Sequence, residues 1–346
     1  MTTPQQQFRP QAAGSPGGSP RQLVCLPVTG IPEVAEGDDL AGILARAATL
    51  EDGDILVVTS KVVSKAEGRV VTAKREEAVL DETDRTVAWR GQTSIVRTHH
   101  GLVMAAAGVD ASNTVTDTVA LLPVDPDASA RRLREALARG VGRNVAVLVT
   151  DTAGRAWRNG QTDIAIGAAG LDVLQDYAGK VDPHGNELSV TSPAVADELA
   201  AAADLVKRKL DRRPAAIVRG LNGLVLRPGD HGPGAAALVR DERQDMFGLG
   251  AREAVLSALH EDDPRGFGAP CSAIELLVQL TALGAGYADV RLDGGAVNAH
   301  LLGGKRIQGA VEQRMRTAAF ALGWRADDAG AEAEEPGSLR FVPATP

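Results

Sequence analysis

The chain has 346 residues, a net charge of −8, 44% hydrophobic residues and only 3% aromatics. That length allows two domains of ordinary size, and a core built mostly from Val, Leu, Ile and Ala argues for parallel or mixed sheets covered by helices. The acidic balance, the lack of a long basic run and the scarcity of stacking aromatics exclude a nucleic-acid binder, and no apolar run is long enough to cross a membrane.

In chain order, residues 1–20 are rich in Gln, Pro, Gly and Ser and read as a disordered tail, with no secretory signal, so the expected compartment is the cytoplasm. Leu23–Val28 reads as a strand. Asp39 caps a helix with Leu40, Ile43, Leu44 and Ala47 on one face. Asp52-Gly53 is a turn before the buried strand Ile55–Thr59. Leu102–Ala107 and Asn144–Val149 are further apolar strands, with an amphipathic helix over Ala128–Arg139. Ser192 as cap and Pro193 at the first helical position start a helix to about Leu210, with Val195, Leu199, Ala203, Val206 and Leu210 as its apolar stripe. Ala215–Val218 is a strand ending at Arg219-Gly220.

A Gly/Pro-rich break follows, and residues 227–245 read as a linker. Beyond it, helices over Leu249–His260 and Ser272–Leu283, strands over Tyr287–Leu292 and Ala296–Leu301, and a helix over Lys305–Leu322 form a small α/β domain at 246–325. The acidic, Gly/Ala/Pro-rich residues 326–346 read as a second disordered tail. Cys25 and Cys271 sit far apart in apolar contexts and read as small buried hydrophobes. The six histidines show no metal spacing.

The chemistry concentrates in Val149–Asp163, V-T-D-T-A-G-R-A-W-R-N-G-Q-T-D. Here a buried strand ends in Asp151 and Thr152, Gly154 turns the chain, and Arg155 and Arg158 flank Trp157. Oxygen ligands suit Mg²⁺ or Mn²⁺, and guanidinium forks suit phosphate or carboxylate oxygens. The bland alternative is a polar surface turn with an exposed Trp. Three other segments follow predicted strands: Thr29–Val34, Thr59–Gly68 with Ser60, Lys61 and Lys65, and Ala107–Asn113 with Asp110 and Asn113. Each taken alone is matched or outweighed by a plain loop or helix start. Together they place phosphate-compatible groups on four loops, and two of those carry a strand-end Asp. There is no G-x-x-x-x-G-K-[ST], and Gly248-x-Gly250 lacks its third glycine because Glu253 stands there, so nucleotide binding would follow another scheme.

These segments, in order, resemble the coenzyme F420-0:L-glutamate ligase (F420 gamma-glutamyl ligase) family. The matching strings include G-I-P-E-V-A-E-G-D-D-L, E-D-G-D-I-L-V-V-T-S-K-V-V-S-K-A-E-G-R, A-A-A-G-V-D-A-S-N, L-P-V-D-P-D-A-S-A and V-T-D-T-A-G-R-A-W-R-N-G-Q-T-D-I-A-I-G-A-A-G, over about residues 23–226. The resemblance implies a mixed α/β (α+β) ligase fold, neither P-loop nor Rossmann, spanning 21–226 and assembled as a homodimer. It implies GTP as co-substrate, two Mg²⁺ or Mn²⁺ ions with K⁺ as a further cation, and coenzyme F420-0 and L-glutamate as partners, joined through an acyl phosphate. Glutamate would be added again, gamma-linked, to F420-1. By the same resemblance Ile31, Pro32, Glu33, Val34, Ser60, Lys65 and Asn113 contact GTP, Asp110 and Asp151 hold one metal, and Thr152 joins a second. Arg155 and Arg158 are added from the residues themselves, as anchors for phosphate or substrate carboxylate.

Two features depart from the family pattern. Leu221-Asn222-Gly223 stands where relatives carry an acidic residue or a longer polar loop, which puts a nucleotide or metal contact in question. The C-terminal extension does not read as the nitroreductase-like FMN domain found in some relatives. Two other readings stay open: a non-catalytic F420- or nucleotide-binding module, and a ligase for a different carboxylate acceptor.

Overall fold

The structure, a computed structural model, describes residues 22–111, 117–188, 191–328 and 337–344. They divide into two compact units built from discontinuous segments. One holds the chain up to residue 66 with 126–151 and 163–234; the other holds 67–125, 152–162 and 235 onward. This partition is by contact, whereas the domain limits expected from sequence run linearly along the chain.

The first unit is organised by a five-stranded mixed sheet in the order Val24–Val28, Ala215–Arg219, Ile55–Thr59, Ala146–Arg155, Arg158–Ala169. The third and fourth strands in this order carry continuous apolar runs, and Ile55 to Val58 and Ala146 to Val149 are fully buried. Such runs are buried on both faces, where β-branched side chains pack well on the pleat. Val24–Val28 and Ile55–Thr59 each pair antiparallel with Ala215–Arg219, while Ile55–Thr59 pairs parallel with 146–150. Strands 24–28, 55–59 and 146–150 therefore share one direction. Their register is continuous: Leu26 faces Ile217, Ile217 faces Leu56, and Leu56 faces Val147. Helix Val195–Lys207 packs on strands 24–28, 215–219 and 55–59, and helices Leu40–Ala47 and Pro126–Val141 pack on each other. Asp39 caps the first of these, accepting from the Gly42 N–H at 3.0 Å. Buried Arg134 donates to the carbonyls of Val145, Leu226 and Arg227 at 2.9–3.1 Å, tying the helix to two loops.

Two expectations change here. Gly154 does not turn the chain: the strand runs on to Arg155 and reverses at Ala156-Trp157, with Trp157 left-handed at φ 62°. Helix 195–207 starts at Val195 with Ala194 as an uncapped N-cap, not at Ser192. The reason is nonlocal. The carbonyls of Thr191 and Pro193 accept from the Tyr177 and Gln175 N–H groups at 3.0 and 3.1 Å, which holds that segment outside the helix. The helix also ends earlier than expected, at Lys207, and Leu210 is 90% exposed; Lys207 is buried instead.

The second unit contains a three-stranded antiparallel sheet (Thr83–Arg90, Thr93–Thr98, Val103–Ala105) and a two-stranded pair (Val70–Thr72, Thr118–Ala120). It also contains a four-stranded antiparallel sheet in the order 288–293, 296–301, 338–343, 324–326. Helices Ala273–Leu283 and Lys305–Ala321 pack on the last sheet, and Ser272 caps the former by accepting from the Glu275 N–H. The expected strand Leu102–Ala107 shortens to 103–105, because Ala106, Ala107 and Gly108 are all left-handed. The tail expected at 326–346 is corrected over 338–343, which is a strand. Its Phe341 is fully buried among Leu276, Leu280, Met315 and Trp324. A single short segment, Leu339-Arg340-Phe341-Val342, beside an acidic, Gly/Ala/Pro-rich stretch carries little periodic signal, and its place depends on strand 296–301 to pair with. The parts of that tail at 329–336 and 345–346, and the tail at 1–20, lie outside the described residues. Cys25 and Cys271 are half-buried and unpaired, and burial pushes both thiols up, away from thiolate reactivity. Among the described residues no helix is long and apolar enough to cross a membrane.

Candidate active site

The shared direction of strands 24–28, 55–59 and 146–150 brings their carboxyl ends to one edge of the sheet, where open α/β sheets place ligands. Thr59 faces Thr150 in the parallel register, so the next residues, Ser60 and Asp151, emerge side by side. Ser60 opens the helix Ser60–Ala66, is buried, and its Oγ donates to Asp151 Oδ1 at 2.9 Å. At the same edge Val28 faces Ala215, which faces Val58, so loop 29–34 leaves beside them. Gly30 takes φ +78°, and Glu33, largely exposed, forms an ion pair with Lys65 Nζ. Ile31 is half-buried, Pro32 exposed and Val34 buried. Thus Ser60, Asp151, Lys65 and Glu33, expected from scattered segments, belong to one edge of one unit.

A buried ionic cluster underlies this edge. Lys207 Nζ donates to Asp163 Oδ2 at 2.6 Å and to Thr150 Oγ1 at 2.9 Å, and Thr150 Oγ1 donates to Asp163 Oδ2 at 3.0 Å. The Lys207 and Asp163 side chains are each 5% exposed. Successive strand residues point to opposite faces, so Thr150 is held on one face and Asp151 is presented on the other. Burial, and next the Asp163 charge, raises the Asp204 carboxyl pKa, while Lys207 and Lys209 oppose the rise. Sequence reading missed Lys207, although a signal was there: it sits four positions after Ala203, on the helix's buried stripe.

The remaining candidates lie in the second unit. Asp110 follows the left-handed Ala106–Gly108 turn and exchanges backbone hydrogen bonds with Ala120, at 3.0 Å from its N–H and 2.8 Å to its carbonyl. Neighbouring Val109 is buried with Val119 and Leu121. Strained backbone of this kind is often kept where a side chain must be aimed. Thr152, Arg155 and Arg158 are exposed on the hairpin tip, and the Arg155 guanidinium donates to the Asn159 carbonyl at 2.9 Å. Asn113 lies outside the described residues. Among the described residues no three His, Cys, Asp or Glu side chains gather as a metal-holding group. The Ser60–Asp151 pair nonetheless offers the hard oxygen donors that Mg²⁺ or Mn²⁺ takes, a donor set that phosphate oxygens and water commonly complete.

The loop after Arg219 sits elsewhere. Strand 215–219 runs against 55–59, with Val218 facing Ile55, so Leu221-Asn222-Gly223 lies at the opposite end of the sheet from Ser60 and Asp151. Arg219 forks onto buried Asp54 (Nε–Oδ1 2.8 Å, Nη2–Oδ2 2.8 Å) and reaches Glu51 at 2.5 Å. The departure at 221–223 thus falls beside a structural arginine fork and away from the Ser60 edge of its own unit.

The family model described as F420-0:Gamma-glutamyl ligase matches residues 30–78 and 72–220, more than half the chain. The chain belongs to the F420-0:gamma-glutamyl ligase family. The coenzyme F420:L-glutamate ligase of Archaeoglobus fulgidus is 40% identical over 218 residues, covering 57% of this chain and 87% of that protein. Its namesake in Methanopyrus kandleri is 40% identical over 237 residues, 62% of this chain and 93% of the relative. That in Methanothermobacter thermautotrophicus is 37% identical over 246 residues, 64% and 96%. The family match contains Ser60, Lys65, Asp110, Asp151, Arg155, Arg158 and Lys207, and its last segment ends at residue 220.

Proposed function

We propose that this chain joins L-glutamate to coenzyme F420-0 at the expense of GTP, through an acyl phosphate. Membership of the family and the names of its relatives support the substrates. The observation that carries the chemistry is the Ser60–Asp151 hydrogen bond at the shared carboxyl edge of three codirectional strands, with Lys65 on the adjoining helix.

In this reading a carboxylate oxygen of the acceptor attacks the γ-phosphorus. The bond from phosphorus to the bridging oxygen breaks, and GDP leaves. The glutamate nitrogen then attacks the acyl carbon, the acyl C–O bond breaks, phosphate departs and the amine loses its proton. Asp151 and Ser60 would hold a divalent cation, which when bound neutralises phosphate charge and orients its oxygens. Lys65 has three N–H donors and can exchange Glu33 for a phosphate oxygen. Phosphoryl transfer asks mainly for alignment and charge stabilisation, which this edge supplies without a protein nucleophile. The roles given to Ile31–Val34, Asp110, Asn113, Thr152, Arg155 and Arg158, the second cation and K⁺, a cytoplasmic location and the homodimer belong to the same proposal.

The test is to incubate the purified chain with GTP, Mg²⁺ or Mn²⁺, F420-0 and glutamate. GDP, phosphate and a product heavier by glutamate are expected by mass spectrometry, and Asp151→Asn should abolish turnover while leaving circular dichroism unchanged. Folded protein that adds no glutamate overturns the proposal; an active Asp151→Asn variant removes the role of Asp151.

A further inference from the structure

The hairpin tip shows an exposed aromatic pair that the reaction above does not use. Trp157 is 87% exposed and Phe247 64% exposed, yet their ring centroids lie 6.2 Å apart with planes tilted by 59°. Met246, next to Phe247, is exposed as well. The chain has few aromatics (three Trp, two Tyr and five Phe), so leaving two of them together in water is not a matter of supply. A hydrophobic surface of this kind, rimmed by polar groups, marks a binding site more often than chance.

The backbone argues in the same direction. Trp157 occupies the second position of a two-residue turn at φ 62°, where glycine or asparagine would sit without strain. A bulky side chain there is strained, because its Cβ crowds the following carbonyl oxygen. Keeping Trp at that point needs a compensating role, and water-exposed packing on one phenyl ring is a weak one.

Charge completes the picture. Arg155 and Arg158 flank the turn, are exposed, and among the described residues neither is paired with a carboxylate. On the Phe247 side the Phe247 N–H donates to Asp245 Oδ1 at 2.9 Å, and Arg240 lies 3.9 Å from the same oxygen, so the cationic side of this aromatic surface is the Trp157 turn, on a chain of net charge −8. Flat aromatic faces and guanidinium groups together suit a planar heteroaromatic ring that carries anionic substituents.

We propose that Trp157 and Phe247 form the stacking platform for the acceptor's planar ring, with Arg155 and Arg158 drawing in its negatively charged substituents. This rests on the ligase reading only for the identity of the ligand: coenzyme F420-0 is a deazaflavin, with a flat fused ring and a phosphodiester tail ending in a carboxylate.

The experiment titrates the full chain with F420-0 in the absence of glutamate, following ligand fluorescence polarisation and the quenching of protein tryptophan emission. Stacking on an aromatic side chain is worth about 1–3 kcal/mol, so Trp157→Ala should weaken binding roughly 5- to 150-fold. Trp157→Phe should restore most of it, Phe247→Ala should fall between, and the GTP affinity should stay within about twofold. In turnover assays the loss should appear in the acceptor KM and not in the GTP KM. Unchanged F420-0 affinity in Trp157→Ala overturns the platform, as does a loss of GTP binding in its place. A fall in assembly mass by light scattering with acceptor binding intact overturns it too, in favour of a contact between copies. The two readings fail separately. Product formation with an indifferent Trp157 leaves the ligase standing and the platform fallen. Trp157-dependent F420-0 binding without product leaves the reverse.

Discussion

Lys207→Met is the sharpest test of how this fold holds its candidate active edge. Lysine and methionine are of similar length, so the change removes the ammonium with little loss of packing. What remains is the Asp163 carboxylate, 5% exposed, and a Thr150 hydroxyl that has lost its donor. An exposed ion pair would be worth about 0–1 kcal/mol. Breaking a buried one by removing a single partner costs about 3–5 kcal/mol, because the other charge stays desolvated. Against a typical domain stability of about 5–15 kcal/mol that is a large fraction. The double variant Lys207→Met/Asp163→Leu removes both charges of this buried pair. It should cost only the orphaned Thr150 hydroxyl and imperfect repacking, about 1–3 kcal/mol. Urea unfolding followed by circular dichroism, with a complete double-mutant cycle, measures both values and their coupling. A cost below about 1 kcal/mol for Lys207→Met, or additive single-site effects, would refute the reasoning.

Other outcomes follow from the same geometry. Ser60→Ala removes the donor to Asp151 Oδ1, so activity should fall about 10- to 100-fold and the divalent-cation requirement should rise, as a metal titration of the rate will show. Asp204 has its folded-state pKa raised, foremost by burial, so its contribution to stability is fully present below the unfolded pKa and is lost as pH rises through the folded value. Asp204→Asn should therefore be more stable than the parent at neutral pH, and the two melting curves should converge as the pH falls below about 4. Phe341→Ala leaves a cavity at the centre of the C-terminal cluster and should cost about 3–5 kcal/mol; a surface-like cost under about 1 kcal/mol would contradict the pairing of strand 338–343.

Some of this protein was legible before any coordinates. The apolar runs at 55–59 and 144–149 are too continuous to be anything but buried, and Asp39 announces its helix because a cap is a bond to a residue three positions away. The long strings between residues 23 and 226 carried the family. Tertiary structure decided what depends on partners far along the chain. The strand bearing Asp151 runs past Gly154 because 158–169 pairs with it, and helix 195–207 starts late because 191–193 is bonded to 175–177. Phe341 becomes core only when strand 296–301 lies beside it. The Ser60–Asp151 bond spans 91 positions, Lys207–Asp163 spans 44, and the remoteness of 221–223 from Ser60 follows from strand direction alone. Local free energies select helix, strand and cap. Which strand lies beside which is set by burial and hydrogen bonding summed over the whole sheet, a quantity no short window of sequence contains.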